Sequence, residues 1–153
     1  RQDALFALAE VGPAAEAAVP ALAEAVAREG DPLRFDVVLA LAAIGPGAAP
    51  AIEGLVRALG DRSLLVREKA AWALGRIGPA AGEALGALGE AEADPYDPSP
   101  DRGYRFIASG REYAGYDRVL IAADGVDASR ERVRTAVDEA VQTIRGLGYP
   151  RSR

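Results

Sequence analysis

A mainly α-helical chain, built as an α-α superhelix and closed at its C-terminal end by a smaller cap, is the fold class that three observations predict. The first is an internal repeat. Val11-Gly12-Pro13, Ile44-Gly45-Pro46 and Ile77-Gly78-Pro79 recur at a spacing of 33 residues with no gap. The second is helical periodicity on both sides of each Gly-Pro. The third is composition: half of the 153 residues are hydrophobic, Ala is the commonest residue, and Cys, His and Met are absent.

The repeat extends well beyond the Gly-Pro. Arg1, Arg34 and Arg67 align, as do Ala7, Ala40 and Ala73, then Leu8, Leu41 and Leu74, then Leu22, Leu55 and Leu88. Val19, Ile52 and Leu85 form a further apolar row. Each unit reads as two helices. Before the third Gly-Pro, Ala70, Ala71, Leu74 and Ile77 fall on one helical face. Gly ends that helix, and Pro restarts the chain at a first-turn position, where its missing N–H costs nothing. The second helix of the first unit is expected over residues 14–28, with Ala18, Val19, Leu22, Ala25 and Val26 inward. Gly30-Asp31-Pro32 and Gly60-Asp61-Arg62-Ser63 supply the turns between units. Ala favours helix and lets helix axes approach closely. One pair cannot bury its own apolar face, so the pairs must stack.

The repeat stops near Asp94. Residues 94–103, rich in Pro and Asp, read as a linker, and residues 104–153 as the cap. Tyr104 to Ser109 is expected as a strand. Arg118 to Ala123 is either its hairpin partner or a short helix, because brief apolar runs do not separate the two. A last amphipathic helix is expected over about 128–147, capped by Asp127 or Ser129, with Val133, Ala136, Val137, Ala140, Val141, Ile144 and Leu147 on one face. It is expected to cover the third unit, since a stack needs a terminal cap.

Composition narrows the chemistry. Without Cys or His there is no thiolate nucleophile, no imidazole base and no Cys- or His-ligated metal. No P-loop, nucleophile elbow or Gly-rich dinucleotide motif is present. The chain has 18 basic and 23 acidic side chains, net −5, and residues 1–93 hold 8 and 13 of them. No nucleic-acid partner is therefore expected, because phosphate backbones require a basic excess. No apolar run approaching 18 residues and no leader peptide are read from the sequence, so no membrane partner and a cytoplasmic location are expected. Of the acidic groups, Glu90, Glu92, Asp94, Asp97 and Asp101, and separately Asp124 and Asp127, could in principle face a hard cation. The full calcium-loop spacing is absent, so no metal and no cofactor are expected.

The run Val66-Arg67-Glu68-Lys69-Ala70-Ala71-Trp72-Ala73-Leu74-Gly75-Arg76-Ile77-Gly78-Pro79 resembles the HEAT-repeat family, in particular the short type found in phycobilin lyase subunits. The resemblance covers residues 1–93 and implies a HEAT-like solenoid whose usual task is binding other macromolecules. It also implies an order of outer helix, Asp-containing turn, then inner helix opening at Val-Arg. Arg1 then falls at the start of an inner helix whose outer partner would precede it, so the chain is expected to be part of a longer array. Among enzymatic members of the wider class, the deoxyhypusine hydroxylases rely on His-bound metal and the alkylated-base DNA glycosylases on a basic groove, neither of which this composition supplies. The bilin lyases share only the generic repeat and are not ruled out by a motif.

Four candidate sites follow. Phe6, Leu39 and Trp72 lie one repeat apart and roughly opposite the face carrying Ala4, Leu8 and Val11, which turns them toward the concave surface. They form either an anchor ridge for a protein partner or packing over the neighbouring repeat. Beside them stand polar residues that change from unit to unit: Gln2, Asp3 and Glu10, then Asp36, then Glu68, Lys69 and Arg76. These either encode partner choice or form a solvated face. Arg34 and Arg67, with Arg1, are expected to pair with turn acids such as Asp31 and Asp61 or with nearby carbonyls, joining adjacent repeats; the alternative, a phosphate-binding row, runs against the surrounding acids. The acidic run is expected to be solvated. The resulting expectation is a non-catalytic protein-interaction scaffold. The alternative is an accessory arm of a larger enzyme, such as a lyase-type assembly.

Overall fold

The computed structural model describes residues 2–28, 30–31, 33–93, 105–108, 111–114 and 116–146, with side chains described within 3–91 and 128–146. The protein is mainly helical. Three units share one plan: α1 (Gln2–Val11), a 3-10 turn over Gly12–Ala18 and α2 (Val19–Val26); α3 (Arg34–Ile44), a 3-10 turn over Gly45–Ala51 and α4 (Ile52–Ala58); α5 (Leu64–Ile77), a 3-10 turn over Gly78–Ala84 and α6 (Leu85–Ala93).

The bend within each unit is made by its glycine. Gly12, Gly45 and Gly78 stand at φ +62°, +72° and +78°, a region that side chains disfavour. The N–H of Gly45 donates to Leu41 O and that of Gly78 to Leu74 O, which closes the inner helix. A single helix over 14–28 does not form. The chain leaves the glycine as a 3-10 turn, and α2 begins only at Val19. Pro20 in the first turn of α2 has no N–H to carry the α-helical ladder backward, and Pro50 sits within the second 3-10 turn. In the third unit Ala81 leaves helical geometry at φ −85°, ψ 18° instead.

The inter-unit turns differ despite the ungapped repeat. Asp31 Oδ1 accepts from Leu33 N at 2.8 Å, and α3 starts at Arg34. Asp61 Oδ1 accepts from Ser63 N at 2.9 Å, and Ser63 Oγ accepts from Val66 N at 3.3 Å. That N-cap starts α5 a turn earlier, giving 14 residues against the 11 of α3.

The first helices of the three units pack side by side, α3 between α1 and α5. The core combines large side chains such as Leu41, Ile44, Leu55 and Leu74 with small residues at the points of closest approach. A Cβ on Gly54 would lie 2.4 Å from Val26 Cγ1, so α2 and α4 touch where no larger side chain fits. Ala40, Ala73 and Ala84 are fully buried. Val11 and Ala4 depart from the expected inward face. Both are exposed, Val11 at 54%, because no earlier layer lies against α1 among the described residues.

The C-terminal part also differs from expectation. Arg105–Ala108 (β1) and Arg111–Ala114 (β2) pair antiparallel, with Phe106 opposite Tyr113. Residues 118–123 are not a strand. They belong to α7, which runs continuously over Tyr116–Ile144. Leu120, Ala122 and Ala123 favour helix, and β1 already has its partner nearby. Ser129, expected as a cap, is buried inside α7, where its Oγ accepts from Arg132 Nη2 at 2.8 Å. α7 packs along α5 and reaches α6 and the third 3-10 turn. Val133, Ala136, Val137, Ala140 and Ile144 join the same core as the repeats. The linker 94–103 and Leu147 lie outside the described residues.

Two segments bear on the expectation that no part of the chain spans a membrane. Asp3–Val26 and Arg34–Ala58 reach the length and mean hydropathy of a membrane span. Each is a bent helix pair, interrupted at Gly12-Pro13 or Gly45-Pro46, and in their most apolar stretches 28% of the first and 61% of the second is buried. An Ala-rich repeat core satisfies the same length and hydropathy test, so no clear transmembrane span emerges.

Candidate functional site

The row Phe6, Leu39, Trp72 runs across α1, α3 and α5, one residue on each. Phe6 on α1 is 57% exposed, while Leu39 on α3 and Trp72 on α5 are half-buried. Trp72 is covered from one side by α7. The two helices leave a cleft, part of it a cavity of ≈ 520 Å³ lined by Glu68, Lys69, Trp72, Glu131, Arg132 and Glu139 among others. A second cavity of ≈ 390 Å³ continues past Trp72 to Pro46, Arg76, Glu139 and Thr143.

Helical spacing dictates what surrounds the indole. Lys69 and Arg76 lie three residues before and four after Trp72, so both reach its ring. Lys69 Nζ is 5.9 Å and the Arg76 guanidinium carbon 5.8 Å from the ring centroid, within cation–π range. Arg76 Nε also donates to Ala42 O at 3.2 Å, so this side chain spans from α5 to the end of α3. Glu68 accepts from Lys69 Nζ at 2.6 Å and faces Arg132 Nε at 3.4 Å, which ties α5 to α7. The cleft therefore combines an aromatic floor with walls of both charges.

The other expected residues divide by burial. Asp3 and Glu10 are exposed on α1, while the side chain of Gln2 lies outside the described residues. Asp36 corrects the expected exposed flank. It is only 6% exposed, because the first turn of α3 is enclosed between α1 and α5. Arg34 and Arg67 are buried as well. Arg34 Nη1 donates to Asp61 Oδ2 at 2.5 Å and its Nε to Val26 O at 2.9 Å. Arg67 Nε donates to Asp61 O at 2.5 Å. Asp61 thus gathers the end of α2, the start of α3 and the turn into α5. Asp31 accepts the backbone N–H groups of Leu33 and Arg34 in its own turn.

Sequence reasoning missed the α7 wall of the cleft and the Arg76–Ala42 bond. The wall was legible in part: Arg132, Thr135, Ala136, Glu139 and Thr143 follow helical spacing beside the apolar face. Which helix they would face was not. Of the acidic candidates, Glu90 is exposed in α6, and the side chains of Glu92, Asp124 and Asp127 lie outside the described set, as do Asp94, Asp97 and Asp101 altogether. Among the described residues, no three His, Cys, Asp or Glu side chains are grouped as a metal site would need.

Comparison of the chain with curated proteins and with solved structures gave no significant match. Residues 66–88 match the family model of the PBS lyase HEAT-like repeat. That stretch runs from Val66 in α5 through the glycine bend to Leu88 in α6, which is the third helix pair described above. The chain thus carries a HEAT-like repeat, and its other two helix pairs follow the same plan.

Proposed function

We propose that this chain is a non-catalytic scaffold for a protein partner. Its stacked pairs form an α-α superhelix whose inner helices α1, α3 and α5 line the concave side, and α7 with the β1–β2 hairpin caps it. The observation that carries this reading is the Phe6, Leu39, Trp72 row. It begins with a large apolar side chain open to solvent and ends in the cleft beneath α7. Exposed aromatic side chains on a rigid helical surface are costly unless covered, and aromatic residues dominate binding energy at interfaces. The HEAT-like match supports a helical repeat built to present such a surface. The partner is a protein and not a nucleic acid, because the repeats carry more acid than base.

Affinity capture with the full chain, compared with Phe6→Glu and Trp72→Ala, tests the reading. Partners held by the ridge should weaken by about tenfold or more with either variant, with helicity by circular dichroism unchanged. Partner binding unaltered by both variants removes the ridge.

A further inference from the structure

The cleft between α5 and α7 is fixed by two contacts. Glu68 meets Arg132 toward one end. Gly75 meets Ala140 toward the other, where an added Cβ would lie 3.0 Å from the Ala140 Cα. Ascending numbers on α5 thus face ascending numbers on α7, so the two helices run parallel. One wall of the cleft carries Lys69, Trp72 and Arg76, and the other Thr135, Glu139 and Thr143. Because the backbones already touch at Gly75, the space between the walls is about one side chain deep. A partner helix, at about 10 Å across, does not enter it, whereas an extended segment does.

The charges along the cleft are not equally engaged. Glu68 is held twice, by Lys69 Nζ at 2.6 Å and by Arg132 Nε at 3.4 Å. Glu131 faces Arg134 at 3.7 Å. Arg76 is different. Its Nε is tethered to Ala42 O at 3.2 Å, and its guanidinium carbon stands 5.8 Å from the Trp72 ring centroid. The residue is exposed, and among the described residues no carboxylate pairs with it. A guanidinium anchored at Nε presents its two other nitrogens as a fork shaped for a carboxylate. Glu139 lines the same cavity from α7, so a bound carboxylate is held to the α5 side. Lys69 can turn from Glu68 to a ligand without stranding that acid, because Arg132 remains as its counter-charge. Lys69 and Arg76 stand two helical turns apart, about 10 Å along the axis, a span that an extended chain covers in about three residues.

We infer that the α5–α7 cleft binds an extended acidic segment of the protein partner, with an apolar side chain on Trp72 and flanking carboxylates on Lys69 and Arg76. The inference rests on the scaffold reading and adds to it the chemistry of the partner. The apolar side chain covers the indole, and a carboxylate completes the Arg76 fork. A basic segment is rejected, because it would bring further cations against the two that already flank the ring.

The test uses the full chain and three short synthetic peptides without tryptophan. Each carries a leucine flanked on both sides by glutamate, by glutamine or by lysine. Trp72 is the only tryptophan of the chain, so its emission reports binding at the cleft. The glutamate peptide is expected to change that emission saturably and to bind about tenfold or more tighter than the glutamine peptide, with the lysine peptide weakest. Arg76→Met should weaken the glutamate peptide by about tenfold, while Arg57→Met, exposed on α4, should leave it unaltered. Arg76→Met also removes the bond to Ala42, so a gain is measured as well. Lys69→Glu with Arg76→Glu should place the lysine peptide above the glutamate peptide, an exchange that loss of folding does not produce. Equal binding of the three peptides, no binding of the glutamate peptide, or a preference that the double variant leaves in place overturns the inference. Phe6→Glu lies outside the cleft and should not alter peptide binding. A partner that Phe6→Glu releases would therefore uphold the scaffold reading even where the peptides refute the cleft.

Discussion

Asp61 joins three elements of the repeat through one side chain and its carbonyl. Its carboxylate faces Arg34 inside the protein, its second oxygen holds the Ser63 N–H, and its carbonyl accepts from Arg67. Two buried charges gain little over an apolar pair, because desolvation offsets their attraction. Breaking the pair from one side is another matter. Asp61→Asn keeps the shape and the Ser63 bond but leaves the Arg34 guanidinium without a counter-charge. The expected loss is about 3–5 kcal/mol, read from the shift of a urea unfolding curve. Arg34→Met combined with Asp61→Asn should lose less than Asp61→Asn alone. A double variant as unstable as the sum of both singles would show that the two residues act independently. By contrast, the exposed Arg57–Glu53 pair along α4 is expected to contribute almost nothing measurable.

Within the elements, glycine has three distinct meanings that composition cannot separate. Gly45 and Gly78 are needed for their backbone angles. Gly54 is needed for space, since Val26 occupies the position its Cβ would take. Gly86 in α6 has neither constraint: a Cβ there would meet nothing within 4 Å. Gly54→Ala should therefore destabilise the protein by about 1–3 kcal/mol through overpacking of α2 on α4. Gly86→Ala should stabilise it by up to about 1 kcal/mol through helix propensity alone. Thermal melts of the two variants should move in opposite directions, and a shift of equal sign would contradict the packing assigned to Gly54.

Across the whole molecule, α7 decides what the third unit shows to solvent. Its Ala140 lies so near Gly75 that an added Cβ there would sit 3.0 Å from the Ala140 Cα. Val137, 1% exposed, anchors the same contact. Val137→Asp places an unpaired charge in that interface, and a loss on the order of 3 kcal/mol is expected. The sequence has one tryptophan, and it floors the cleft beneath α7. Its fluorescence should shift to the red in Val137→Asp as α7 loosens. Emission identical to the parent would mean that α7 does not wall the cleft.

The sequence alone determined the repeat, its period, the helix pairing and the glycine bends, because each depends on local geometry that recurs every 33 residues. It also picked out the Arg row and the Phe6, Leu39, Trp72 row, since both fall at constant repeat positions. The 3-10 turns, the length of α7 and the burial of Asp36 were beyond it. Those properties depend on which surface lies against which. Periodicity tells how a helix divides into faces, and only the tertiary structure decides whether a neighbour is there to cover one.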